Sequence, residues 1–403
     1  WISGNVLYAA TLCEDPAEQA ALRQSATNNL RRYVAALPLD GAIDEGAGYW
    51  WNGAGRLLEA LDELHNADAA ELLRLESVCN TVRFPAGMAL GGGWCANFSD
   101  AAAYPEPLPW HLLFRAAMNT DDEAARAFAV AGARRDGSLA LLSDGLPRVL
   151  RALKDKEWAA ALTAAPDDRL PLQSWWPSTQ VLVAHQSSDA SGLGIAAKGG
   201  HNGENHNHLD VGSVIVASDG VPVIVDPGRP TYTADTFSEA RYSIWTMRSD
   251  WHSVPQLAGR GQGVGEQFTA RDVAATLTPK LASLQADIGG AYLTPGVSWL
   301  RTTTLDRANG VARISDSSDC ADAYLHWIIA GDVTVRGESL LVHPARPAAA
   351  VNIRWEGATL QSVTERPLGD PTLQRVWGSK LTRLTLRPTG AQVKSSLEVS
   401  NRV

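Results

Sequence analysis

Residues 201–226 read HNGENHNHLDVGSVIVASDGVPVIVD. The second half of this stretch decides the fold of its region. SVIVAS (213–218) and VPVIVD (221–226) are short β-branched runs, and the Asp219-Gly220 pair between them favours a two-residue hairpin. Such a hairpin returns Asp226 beside a strand that begins near His208. The first half gathers histidines: nine occur in 403 residues, and three of them, His201, His206 and His208, fall within eight positions. On an extended segment the rings of His206 and His208 share one face, because strand side chains alternate. A lone histidine in a sheet is ordinarily just a hydrogen-bonded residue; the cluster is what carries the signal. With His252 from the Asp250-Trp251-His252 echo, His208 and Asp226 form a His/Asp/His set suited to a divalent ion such as zinc.

Outward from this stretch, the chain divides. From Thr179 (TQVLVAHQ) onward, short β runs such as Val214–Ala217, Val223–Val225, Val297–Leu305 and Tyr324–Ile329 alternate with Gly, Asp-Gly and Pro-Gly turns. That spacing predicts an antiparallel β-sandwich. Upstream the pattern is helical. Asp15-Pro16-Ala17-Glu18 is a helix start, followed by Leu22, Ala26, Leu30, Tyr33 and Leu37 at helical spacing. Leu57, Leu58, Leu61 and Leu64 share a second helical face, and Ala69–Val78 suggests its partner. Thr120 with Glu123 reads as a capping box before Ala124–Ala131, and Arg148–Ala164 closes the series. Successive amphipathic helices with short turns imply a bundle or the ring of helical hairpins called an (α/α) toroid. The composition shifts around Pro166–Pro177. We therefore expect an α+β, multidomain chain: residues 1–170 helical, part of a toroid, and 171–403 an antiparallel sandwich.

The bulk composition narrows the function classes. A net charge of −9 argues against a nucleic-acid partner, which calls for a basic surface. Fourteen Trp against six Phe would suit stacking on sugar rings, although indoles also fill cores. The four cysteines lack CxxC spacing; Cys79 and Cys95 pairing and free thiols both stay open. No apolar run reaches the roughly 18 residues of a membrane span. The chain starts at Trp1 without a signal-peptide pattern, so we expect an N-terminal part to have been processed or left out. Three loops could carry chemistry in the helical part: the start around Trp1 and Asn5, DGAIDEGAGYWW at 40–51, and GGGWCANFSD at 91–100 with Trp94, Asn97 and Asp100.

HNHLDVGS (206–213), IVDPG (224–228), RYSIWTMRSDWHS (241–253) and DEGAGYWW (44–51) together resemble the heparinase II/III-like polysaccharide lyases, which include heparin, heparan and alginate-oligomer lyases. The helical region is about half the length of that family's toroid. The resemblance implies β-elimination on an acidic polysaccharide or oligosaccharide. A base removes the C5 proton of a uronic acid, the oxygen on C4 leaves, and an unsaturated uronate results. It points to Asn5 and His206 for neutralising the uronate carboxylate. It makes Tyr49 the general acid and Tyr242 the base, with Tyr232 in reserve. Zinc, mainly structural, would sit on His208, Asp226 and His252. Glu45, Trp50, Asn97, His201, Tyr232 and Arg241 are then expected at the substrate. Lys198 is a further carboxylate or sulfate partner, or plainly a solvated charge. A periplasmic or secreted location follows from the resemblance; the oligomeric state does not. Three rivals stand beside it: a glycoside hydrolase using Glu45 and Asp100, a cupin-like metal oxygenase, and a non-catalytic glycan binder relying on its Trp.

Overall fold

Val214–Ser218 and Val221–Ile224 form the expected hairpin in the computed structural model, with Ser218 opposite Val221. Asp219 and Gly220 both take positive φ, 48° and 80°, which is the primed turn that matches the right-handed twist of the flanking strands. The Asp219 carboxylate pins the turn by accepting from the backbone N–H groups of Gly192 and Ala349, both at 2.9 Å. The structure describes residues 1–64, 66–164 and 167–401; Pro166, the start of the compositional shift, lies outside them.

The chain forms two compact units. The helical one comprises Trp1–Ile43, Ala47–Gly87 and Pro105–Leu170; the β unit takes Pro171–Val403 together with Asp44–Gly46 and Met88–Tyr104. The division is thus not the single cut at 170 that composition suggests. Two short loops from the helical stretch belong with the sheets, and both contain candidate site residues.

In the helical unit, Asp15 caps the helix Pro16–Ala36, its Oδ1 accepting from the Ala17 N–H at 2.9 Å. Three expectations need correction here. The helix Glu123–Asp136 is capped by Asp122, not Thr120, whose hydroxyl donates back to the Ala116 carbonyl of the preceding helix. Arg148–Ala164 is two helices, Leu146–Lys154 and Lys156–Ala161, because the Asp155 carboxylate caps the N–H groups of Glu157 and Trp158 and starts a new one. Ala69–Val78 likewise spans parts of Ala67–Leu72 and Glu76–Gly87. The helix Ala54–Leu64 is central: Leu57, Leu58, Leu61 and Leu64 are buried, and so are Arg56, Glu59 and Asp62 between them.

The β unit holds two large antiparallel sheets. One has eight strands, ordered from Arg271–Leu277 through Trp299–Asp306 and Val393–Ser400 to Asp332–Val335. The other has nine and runs from the edge strand Ala358–Pro367 through Lys380–Pro388, Ala323–Ile329 and the hairpin to Gln173–Trp176. Strand Trp299–Asp306 alternates: Trp299, Arg301, Thr303 and Leu305 are buried and their neighbours are not, so one face turns inward. Trp299 and Ile314 from the first sheet meet Ile195, Val216, Trp327 and Leu384 from the second in one apolar core. Val214–Ser218 is buried at every position, which gives the loop before it a rigid base. No disulfide joins Cys79 and Cys95.

Candidate active site and metal centre

His206 does not lie on a strand. Its φ is +54°, and the chain from Gly203 to Ser213 is an irregular loop, the strand starting only at Val214. The two rings converge nonetheless, for a reason the spacing alone does not contain. Both donate to one carboxylate, Asp100, from the Met88–Tyr104 segment. His206 Nδ1 lies 2.8 Å from Asp100 Oδ2 and His208 Nε2 3.0 Å from Oδ1. The Tyr232 hydroxyl donates to Oδ2 at 3.1 Å and Arg241 Nη2 to Oδ1 at 2.8 Å. Asp100 is fully enclosed. Burial opposes its ionisation, but hydrogen bonds and charge from His208 and Arg241 prevail and hold the carboxyl well below the usual carboxylate range.

One layer deeper lie His208, Asp226 and His252, all completely buried, with one candidate ligand atom from each within 4.8 Å of the others. The hairpin delivers Asp226, as its register requires. His252 Nδ1 is 3.0 Å from Asp226 Oδ2, and its Nε2 is 2.9 Å from the Thr246 carbonyl. Burial disfavours charge on both partners, yet their mutual attraction dominates: Asp226 titrates low and His252 high, as an ion pair. His208 Nδ1 is a buried nitrogen without a hydrogen-bond partner among the described residues. Since Asp100 takes the Nε2 proton of His208, its Nδ1 carries a lone pair aimed at nothing in the protein. The Nε2 atoms of His208 and His252 face a carboxylate and a carbonyl, and such partners are the support that metal-binding histidines require.

The other expected residues fall into distinct environments. Tyr242 is half-buried, its hydroxyl accepting from Asn207 Nδ2 at 3.3 Å. Glu45, in the Asp44–Gly46 loop, has Oε1 3.7 Å from His206 Nε2, and burial pushes its carboxyl up. Asp44 holds the histidine loop through Asn205, whose Nδ2 donates at 2.9 Å. Four of the five N–H groups of Arg241 go to protein acceptors: Asp100 and the carbonyls of His206, Asn207 and Thr236. Asn97 is buried and donates to the Asp226 carbonyl at 3.1 Å, bracing the His208, Asp226 and His252 group. His201 is half-buried and its Nδ1 accepts from the Gly203 N–H at 3.1 Å.

In the helical unit, Tyr49 sits half-buried on the helix Ala47–Trp50, and Asn5 lies exposed on Ile2–Ala10, accepting from Arg148 Nη2 at 3.2 Å. Trp50 must be withdrawn as a sugar contact. It is wholly buried, its indole N–H donates to the Thr81 carbonyl at 2.8 Å, and its ring meets Trp51 edge-on. Lys198 is corrected too: it is buried, with Nζ 2.8 Å from both Asp210 and Glu204, and bolts the two ends of the histidine loop together. Asp100 was legible as one of three candidate residues in a Gly-rich loop and as a hydrolase carboxylate beside Glu45; no local signal marks it as the hub.

Residues 193–393 match the family model of the heparinase II/III-like C-terminal domain. Among solved structures, the chain is similar to a heparinase III gene product (14% identity, TM-score 0.71, covering 99% of this chain and 58% of that one). It is similar also to the heparan sulfate lyase HepC from Pedobacter heparinus (13%, TM-score 0.71, 98% and 58%) and to another heparinase III (10%, TM-score 0.71, 99% and 60%). At such identities these likenesses show the fold, helices of an (α/α) toroid followed by an antiparallel β-sandwich. The chain spans about three-fifths of the length of these structures. No curated protein sequence matches it significantly. Among the described residues no helix is long and apolar enough to cross a membrane.

Proposed function

Because the chain belongs to the heparinase II/III-like family through residues 193–393, we propose that it is a polysaccharide lyase that breaks uronic-acid-containing glycans by β-elimination. One observation carries this reading above the rest. A single buried carboxylate, Asp100, fixes His206, Tyr232 and Arg241 and also His208 of the buried triad. A C5 proton is barely acidic beside a charged carboxylate, so elimination needs donors already aimed at that carboxylate. With Nδ1 of His206 on Asp100, we assign its Nε2, 3.7 Å from Glu45 Oε1, to the substrate carboxylate, alongside Asn5.

Tyr242 then removes the C5 proton, the C4–O bond breaks, and the departing oxygen takes a proton from Tyr49. The products are a saturated chain end and a C4–C5 unsaturated uronate. Asn207 Nδ2 donates to the Tyr242 oxygen at 3.3 Å and orients it. His208, Asp226 and His252 would hold a divalent ion, with zinc suited to two imidazoles and a carboxylate. When bound, the ion supplies positive charge that braces the histidine loop. The orphaned His208 Nδ1 is the feature that fits it.

The rivals meet specific obstacles. A hydrolase needs Asp100 at the sugar, but Asp100 is enclosed and spends both oxygens on four donors. An oxygenase needs an open coordination face, and all three triad residues are buried. On the lyase reading the protein acts in the periplasm or outside the cell. The test is ultraviolet absorbance of the conjugated product on heparin, heparan sulfate, hyaluronan, chondroitin and alginate. Turnover on any of them, lost in Tyr242→Phe with binding retained, is expected; silence on all with the metal-loaded protein overturns the proposal.

A further inference from the structure

The segment that ends in Tyr242 on one side and His252 on the other also builds a second charged feature. Its Trp245 and Trp251 pack edge to face, ring centroids 5.0 Å apart. Over them lie two guanidinium groups from the nine-stranded sheet. Arg366, on the edge strand, sits 4.2 Å from the Trp245 centroid and 5.2 Å from that of Trp251. Arg383, on the adjoining strand, sits 4.9 Å from Trp251. Thr364 pairs with Arg383 in the ladder, so Arg366, two residues on, projects from the same face. Arg248 is a third cation beside them.

The acids nearby do not balance these charges. Asp250 is the one carboxylate in the group; it binds Arg248 at 2.9 and 3.0 Å and reaches Arg383 only at 3.9 Å. Glu365 projects from the opposite face and pairs with Lys380. Among the described residues Arg366 forms no ion pair and donates no side-chain hydrogen bond, and Arg383 Nε is buried without an acceptor. Stacking uses the faces of these groups; Arg383 gives one Nη1 hydrogen to the Asp250 carbonyl at 2.8 Å, and the remaining N–H edges offer the geometry that receives a carboxylate or sulfate in parallel hydrogen bonds. Burial and the charge of Arg248 press against the cation on Arg366, with only Asp250 relieving it.

We propose that Arg366 and Arg383, backed by Trp245 and Trp251, form a subsite for an anionic group, carboxylate or sulfate, of an acidic glycan. The proposal rests on the reading of the chain as a protein acting on such glycans.

The test compares wild type, Arg366→Gln, Arg366→Lys and a remote control, Arg313→Gln, on hyaluronan, heparan sulfate and cellulose oligosaccharides of equal length. Titration calorimetry measures binding and ultraviolet absorbance measures turnover. Arg366→Gln should weaken binding of acidic oligosaccharides and raise KM by about tenfold with kcat retained, the loss of one charged bidentate contact. Arg366→Lys should recover part of this, and the control none of the loss. Loss on both acidic oligomers assigns a carboxylate; loss on the heparan oligomer alone assigns a sulfate. Wild-type cleavage with no change in Arg366→Gln overturns the subsite and leaves the lyase standing. Arg366-dependent binding without unsaturated product keeps the subsite and overturns the lyase. Equal loss on the neutral oligomer, or no wild-type binding to either acidic one, overturns the subsite.

Discussion

Both units bury charged side chains, but the helical network and the histidine loop of the β unit differ in the partners their acids take. In the helical unit the buried acids meet arginines. Glu59 receives Arg56 and Arg148, Arg148 Nε at 2.8 Å, while Asp62 is paired with Arg151 and takes Asn119 Nδ2 at 2.7 Å. Guanidinium groups keep their protons at any ordinary pH, so this network has one charge state and one job, holding helices together. In the β unit Asp316 meets Arg301 and Asp210 meets Lys198 in the same way, but around the loop 203–213 the buried acids meet histidines: Asp100 has His206 and His208, and Asp226 has His252. Imidazoles can gain or lose a proton, bind a metal or offer a donor to substrate. One of them is left with an orphaned nitrogen. Burial of charge therefore does not mark the site; the kind of partner does.

The sharpest way to break that contrast is Asp100→Ala, which leaves four donors facing a void. Removing one side of a buried charged cluster typically costs about 3–5 kcal/mol, so melting temperature should fall steeply with activity. Asp100→Asn keeps the shape but turns one acceptor into a donor. It should lower turnover by about 10–100-fold in the ultraviolet assay. Wild-type rates in Asp100→Asn would remove the hub from the mechanism.

Next in size is His208→Ala. Metal analysis should find the bound ion gone, and the melting temperature should no longer rise when zinc is added. A full equivalent of metal remaining would show that the ligand set is wrong.

Asp62→Asn probes the other side of the contrast. Here we expect a stability loss of about 1–3 kcal/mol by denaturant titration, with metal content unchanged. Loss of metal in this variant would mean that the helical network is not merely structural.

A last effect, visible only in acid, concerns a histidine outside both networks. His326 is buried on Ala323–Ile329, and burial, with Arg383 adding to it, depresses it to about 3. Its folded value lies below its unfolded one near 6.5, so the unfolded chain takes the proton first as pH falls. Its contribution is complete above about 6.5 and erodes by roughly 1.4 kcal/mol per pH unit toward about 3. His326→Gln should flatten that acid limb in thermal melts; an unchanged slope would show that His326 does not titrate there.

Much of this was readable in one dimension because it depends on near neighbours. The Asp219-Gly220 turn, the cap at Asp15 and the split between helices and strands all follow from local backbone preference and hydrophobic period. The hairpin that precedes Asp226 was readable too, but His208 reaches Asp226 from an irregular loop and not through the ladder. What failed were choices between close competitors. Asp122 outbid Thr120 for a cap, and Asp155 cut a helix that periodicity would continue. His206 left the extended conformation that the spacing of its ring from that of His208 suggested.

The sequence by itself determined the two kinds of secondary structure, the hairpin and the cluster of ligand types, because these are set within a few residues. Only the tertiary structure decided that Asp100, 106 residues before His206, is the acceptor on which the site turns. It alone buried Trp50 and Lys198 and set Arg366 over two indoles. Long-range partners of this kind are fixed when the core closes, and a buried carboxylate takes whichever donors the packing brings to it.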